Sequence, residues 1–280
     1  MSSPELQLIK GPGALGGSWA RFKNLTWLIA STEFRLTYFG SALGYLWSLM
    51  RPLMLFGVLY VVFTKVFKFG GGIKDYPMVL LLNIVCFTFF TEATTLSVAS
   101  VVQRESLVRK MHFPRVVIPL SVVLTAGLNL LVNLVAVFVF MLAYGIAPRW
   151  TWLLLPLGLI PLVLLALGVA MLLSALFVRF RDVQPIWSVL STVLFYGTPV
   201  LYVVDILADR PGWKRAVLCN PIGDVLEQLR HWVIDPGAPT AVSAIGGWTW
   251  FLVPVAVLVV VCALGAWVFS REAPRIAESL

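Results

Sequence analysis

Six apolar segments of membrane length dominate the sequence and leave few folds open to it. They run over Leu43–Phe67, Pro77–Val102, Val116–Ile146, Trp152–Val178, Val183–Thr198 and Trp248–Phe269. A helix needs about 20 mostly apolar residues to cross a bilayer, and the fifth segment is short if Pro199 ends it. Inside hydrocarbon each backbone N–H and C=O must be satisfied within its own segment, so runs of this length are read as helices. Hydrophobic residues make up 60% of the 280 residues and charged residues only 12%, against about 25% in soluble domains. That balance excludes a water-soluble fold and points to an all-α integral membrane protein with six transmembrane helices. The division expected is a cytoplasmic tail and interface helix over residues 1–40, then a transmembrane domain over 41–280.

The distribution of Lys and Arg sets the orientation. With the N-terminus in the cytoplasm, twelve basic residues fall on the inner side and eight on the outer, while Arg51 lies inside a span; these account for all 21. Both termini are therefore expected in the cytoplasm. The net charge of +8 is read as positive-inside topology plus contact with anionic lipid headgroups, with no nucleic acid as partner. The three cysteines, Cys86, Cys219 and Cys262, have no metal-site spacing and suggest no disulfide framework.

Ser18–Gly40 places Phe22, Leu25, Ile29 and Leu36 on one helical face, with Glu33 an unexplained acid close to it. A helix lying in the inner headgroup layer fits this pattern. Between the last two spans, Asn220–Gly237 reads as a capped helix: Asn220 as N-cap, Pro221 in the first turn, and Pro236-Gly237 as the stop. Its apolar face is Val225, Leu226, Leu229, Trp232 and Val233, and its polar face includes Asp224, Glu227 and Arg230. Thr198–Leu207 upstream is apolar but too short to cross. The two read as half-inserted, re-entrant outer helices, which are tolerated where protein or water covers them.

Few residues offer chemistry. GPGALG (Gly11–Gly16) matches a dinucleotide pattern but has no strand before it, and no GxxxxGK[ST] P-loop occurs. No catalytic, cofactor or metal site is expected. Counted as one continuous helix, Tyr38, Tyr45, Phe56, Tyr60, Phe63 and Phe67 fall on one side of the first span. Such a stripe serves either as a packing face or as a lining on which sugar rings slide, each weak site releasing what it holds. Glu92 and Arg51 are ionisable groups inside spans, and such groups face a cavity or a partner; whether they meet each other is open. An ion-coupled transporter centred on Glu92 is a competing reading.

Val101–Val117 is a charged knot between two spans, with Arg104, Glu105, Arg109, Lys110, His112 and Arg115. Gln103–Met111 can form a short helix, with Leu107 and Met111 one turn apart as an apolar ridge. The ridge suits either a socket on a soluble partner or the lipid surface.

Phe34–Tyr60, with Gly44, Trp47 and Pro52, resembles the opening of ABC-2 type exporter permeases, although Arg51 stands where that family often has Asn before the proline. Arg104–Leu124 is similar to the family's cytoplasmic coupling helix, Leu173–Trp187 to its short cytoplasmic turn, and Phe195–Tyr202 with Asn220–Arg230 to its outer gate. The similarity runs from about Arg35 to Arg275, closest to exporters of O-antigen, capsule, teichoic acid or galactan. The resemblance implies a homodimer in the bacterial cytoplasmic membrane, two copies of a separate ATPase that binds ATP and Mg, and a lipid-linked polysaccharide as cargo. It assigns ATPase coupling to Arg104, Glu105, Leu107, Val108, Met111 and His112. It assigns a glycan path to the aromatic stripe with Phe195 and Tyr196, and an outer gate to Pro199, Tyr202, Pro221, Leu226, Leu229 and Trp232. A drug or small-lipid exporter is the alternative within the family.

Overall fold

The computed structural model describes residues 18–38, 44, 46–66, 73, 75–104 and 114–279. All regular structure among them is helical. Helix α1 is Ser18–Tyr38, α2 is Leu46–Val61 (continued by a π-helical turn, Val62–Val66), α3 is Tyr76–Val98 and α4 is Val117–Tyr144. Then come α5 at Leu155–Arg179, α6 at Val183–Gly197, α7 at Pro211–Leu218, α8 at Pro221–Leu229, α9 at Ala241–Ile245 and α10 at Trp248–Ser279.

Five helical segments are long and apolar enough to span a bilayer: Leu46–Thr64, Tyr76–Val98, Val117–Tyr144, Trp150–Arg179 and Trp248–Glu272. These match the first, second, third, fourth and sixth apolar runs. The fifth run forms α6, which stops at Gly197 after 15 residues. At 1.5 Å per residue it covers about 22 Å, less than the hydrocarbon thickness of about 30 Å.

The buried centre is α3, packed against α4 and α5. Helix α3 is covered nearly all round, from Tyr76 to Val98, so its apolar residues show no one-sided pattern. Helix α10 packs along α5 at very short range. A Cβ added at Gly265 would stand 2.1 Å from the Gly168 carbonyl oxygen, and one added at Gly168 would stand 2.9 Å from the Cys262 Cα. Only residues without side chains let two helix backbones approach this closely. Helix α2 is peripheral, and Met54, Leu55, Val58 and Val61 along it are exposed.

The stretch expected as an interface helix is helical, as α1, and it packs on α4. Leu25, Thr26 and Ala30 are buried there, and the Thr125 hydroxyl donates to the Ala30 carbonyl at 3.3 Å. Leu36, assigned to the same face, is exposed. The outer segment needs two corrections. Thr198–Val203 is not helical, and only Val204–Leu207 forms a 3-10 turn. Side chains of α3 hold the Pro199, Val200 and Leu201 carbonyls in this non-helical stretch. Most of the polar face of α8 is covered: Asp224, Glu227 and Arg230 are buried, while Gln228 and His231 are half-buried. The 3-10 turn brings Asp205 over it, and α7, which the sequence pattern did not reveal, packs beside it.

Candidate functional site: a cavity between helices and two ties at the ends of α3

A cavity of about 350 Å³ opens between the end of α1, the first turns of α2, and the middles of α3 and α4. Tyr38, Trp47, Arg51, Thr88, Glu92 and Asn133 are among the side chains on its wall. The Tyr38 hydroxyl donates to the Asn129 side-chain oxygen at 2.9 Å, and the Asn129 amide donates to a Glu92 carboxylate oxygen. Asn133 in turn donates to the Asn129 backbone carbonyl at 2.8 Å. Glu92 and Arg51 thus share one cavity, with no ion pair joining them among the described residues. Asn129 and Asn133 were not singled out by sequence reasoning. Their spacing of four residues on one face of α4 was the available signal, since two amides within a span need partners.

The aromatic stripe is broken. Tyr38 ends α1, and Gly44 has φ of +47°, a left-handed conformation that glycine adopts freely and that starts a new helix direction before Leu46. Tyr38 therefore does not share a helical face with Phe56, Tyr60 and Phe63; it belongs to the cavity wall instead. Tyr45 and Phe67 lie outside the described residues. Phe56 and Tyr60 stack at 5.8 Å between centroids, and with Phe63 they are half-buried against the core. On α6, Phe195 packs edge-on to Phe87 at 5.2 Å, while Tyr196 is exposed. The remaining aromatics form a half-covered ridge on α2 and a second patch on α6.

The segments assigned to the outer gate are tied to α3. Asn83 donates to the Pro199 carbonyl at 3.1 Å, and the Tyr76 hydroxyl donates to the Leu201 carbonyl at 2.6 Å. Asn220 caps α8 by accepting from the Ile222 N–H at 3.1 Å, and its amide donates to the Thr198 hydroxyl at 2.7 Å. Pro221, Leu226 and Leu229 are buried, whereas Tyr202 and Trp232 are half-buried. Arg230 bonds Glu227 at 3.0 Å and Asp205 at 2.9 Å. Both oxygens of Asp224 are buried without a partner.

Burial pushes the Asp224 carboxyl up to about 8, with the nearby Glu227 adding to the effect. Burial also raises Glu227 to about 7, against the pull of Arg230 and Lys214 and with Asp205 adding to the rise. Groups raised in this way hold protons in the folded chain that the unfolded chain releases. The stability they contribute is complete below the ordinary carboxylate range and is lost as pH rises through about 8. The melting temperature of the detergent-purified protein should therefore fall over that window. Asp224→Asn should flatten the fall, and an unchanged slope in that variant would exclude Asp224 as its source.

At the other end of α3, the assigned coupling residue Arg104 is taken up within the chain. Its guanidinium pairs with Glu33 of α1 and reaches the Ile118 carbonyl at 3.4 Å and the Ser121 hydroxyl at 3.3 Å. This gives Glu33 its partner and explains an acid beside the apolar face of α1. Glu105, Leu107, Val108, Met111 and His112 lie outside the described residues. Among the described residues no cluster of His, Cys, Asp and Glu could hold a metal ion.

Comparison with known proteins gives these features a common frame. The family model for ABC-2 type transporters matches residues 24–232. An O-antigen export system permease protein from Klebsiella pneumoniae is 31% identical over 204 residues, covering 72% of this chain and 77% of that protein. One from Myxococcus xanthus is 26% identical over 260 residues, covering 93% of this chain and 96% of that protein. The matched stretch takes in most of α1, the cavity, the Arg104–Glu33 tie and the segments held by Asn83 and Tyr76, and the chain belongs to the ABC-2 type transporter family.

Proposed function

We propose that this chain is the membrane subunit of an ATP-driven exporter that carries a lipid-linked polysaccharide across the bacterial cytoplasmic membrane. Two copies would form the channel. Two separate ATPase subunits, binding ATP and Mg, would drive it from the cytoplasm, where both termini lie. Helix α6, continued by the segments tied to α3, would serve as the sixth, incomplete crossing, and those segments would gate the outer mouth.

The observation that carries this reading is Arg51. It is exposed on α2 at the wall of the cavity it shares with Glu92, and the same membrane-length helix leaves Met54, Leu55, Val58 and Val61 bare. A guanidinium within a span calls for water or a protein partner as its neighbour, not lipid tails. The cavity shared with Glu92 meets that need, so a polar path would run beside α2, and a second copy covering the bare Met54, Leu55, Val58 and Val61 would enclose it together with the Phe56–Tyr60–Phe63 ridge. Similarity to O-antigen export permeases supports polysaccharide as the cargo.

The ridge supplies the test. Tyr60→Ala combined with Phe63→Ala should reduce surface display of long polysaccharide chains about tenfold or more if each ring contributes about 1 kcal/mol of contact along the path. Membrane levels of the permease should stay normal. Undiminished display of long chains would return the ridge to ordinary packing.

A further inference from the structure

We infer that the intramembrane cavity is a subsite for one uncharged, hydroxyl-rich sugar ring of the cargo. This rests on the polysaccharide reading and narrows it to one place and one chemistry. The Asn129 amide is spent within the chain, one end on Tyr38 and the other on Glu92. Three acceptors then remain on the cavity wall with no partner among the described residues: the second Glu92 oxygen, the Asn133 side-chain oxygen and the Thr88 hydroxyl. None of them belongs to the sealed, unpaired polar atoms of the interior, and all three residues line the cavity. Arg51 supplies donors from α2, and Trp47, more than half exposed, supplies a ring face at the rim.

This set discriminates between ligands. A carboxylate, an amide oxygen and a hydroxyl accept from several O–H groups at once, a guanidinium donates to hydroxyl or ring oxygens, and an indole face stacks on sugar C–H groups. A pyrophosphate would satisfy Arg51 but would place its charge beside Glu92 and leave the acceptors unused. An acyl chain would bury all of them unpaired. The volume suits a ring or two and no more, so the polymer would pass by successive weak engagement rather than lodge.

Reporter cysteines test the assignment in the full chain, reconstituted in lipid nanodiscs with Cys219→Ser and Cys262→Ser; Cys86 is buried and stays. Thr88→Cys reports on the cavity, with Ser48→Cys on the opposite wall in its place if the first variant fails to fold. Tyr60→Cys reports on the aromatic ridge. The rate of modification by a small water-soluble methanethiosulfonate is measured with and without two probes: delipidated polysaccharide from cells that export through this chain, and inorganic pyrophosphate. The polysaccharide should slow modification in the cavity and pyrophosphate should not. Glu92→Gln should raise the polysaccharide concentration needed by about tenfold, the loss expected from one charge-assisted hydrogen bond. Slowing confined to Tyr60→Cys would overturn the subsite and leave the polysaccharide reading standing. Slowing by pyrophosphate alone, or an unchanged requirement in Glu92→Gln, would overturn it as well.

Discussion

Gly265→Ala should leave little protein that purifies as a single folded species. The added Cβ would stand 2.1 Å from the Gly168 carbonyl oxygen and 2.9 Å from its carbonyl carbon. These are backbone atoms of α5 and no rotamer change can move them, so α10 must retreat along its contact with α5. That contact is the most extensive helix pairing in the chain. Overpacking in a core costs about 1–3 kcal/mol when side chains can adjust, and here only a backbone shift can relieve it. A melting temperature lower by about 5 °C or more is the mildest outcome expected, with aggregation the more extreme. Gly127→Ala is the matched control, because a Cβ added there meets nothing within 4 Å. Fluorescence-detected gel filtration and melting of both variants decide the matter. A Gly265→Ala protein as stable as its control would mean that the two helices lie farther apart than described.

The span pattern was legible because hydrocarbon imposes it residue by residue. Every apolar run except the fifth became a membrane-length helix, and the Asn220 cap formed where the sequence placed it. What escaped was the partnering of polar groups across long separations. Glu33 looked like a flaw in an amphipathic face because its partner, Arg104, is 71 residues away. Asn83 reads as one amide in an apolar run, yet it donates to the Pro199 carbonyl 116 residues later and ties the non-helical Thr198–Val203 stretch to α3. The polar stripe of α8 had the periodicity of a solvated face, and periodicity cannot register Asp205 folding over it. The aromatic stripe failed for a local reason. A helical wheel assumes one unbroken axis, and here α1 ends at Tyr38 while α2 begins only at Leu46, with Gly44 left-handed between them.

The Arg104–Glu33 tie sharpens what the charged knot is for. Arg104 is held by α1 and by the start of α4, so the chain that follows it leaves from a fixed point. In the proposed exporter, a push on that segment would pass to α1, α3 and α4 together, and α3 holds the Pro199 and Leu201 carbonyls through Asn83 and Tyr76. Under the proposed function, the Leu107–Met111 ridge is where an ATPase would deliver that push. Leu107→Asp combined with Met111→Asp puts two carboxylates on the ridge, and burying an ionised carboxylate in an apolar socket without a partner costs several kcal/mol. The expected result is loss of the ATPase from the purified complex, or ATP hydrolysis that no longer depends on the permease, with polysaccharide display falling at least about a hundredfold in either case. Conservative Leu107→Met should leave both properties near normal, which separates lost apolar docking from general damage. Glu33→Gln tests the transmission step separately: it keeps the ridge but weakens the Arg104 anchor, so the ATPase should stay bound while its hydrolysis drives less export. Full coupling in the double aspartate variant would remove the ridge as the docking site and return the knot to a positively charged loop at the lipid surface.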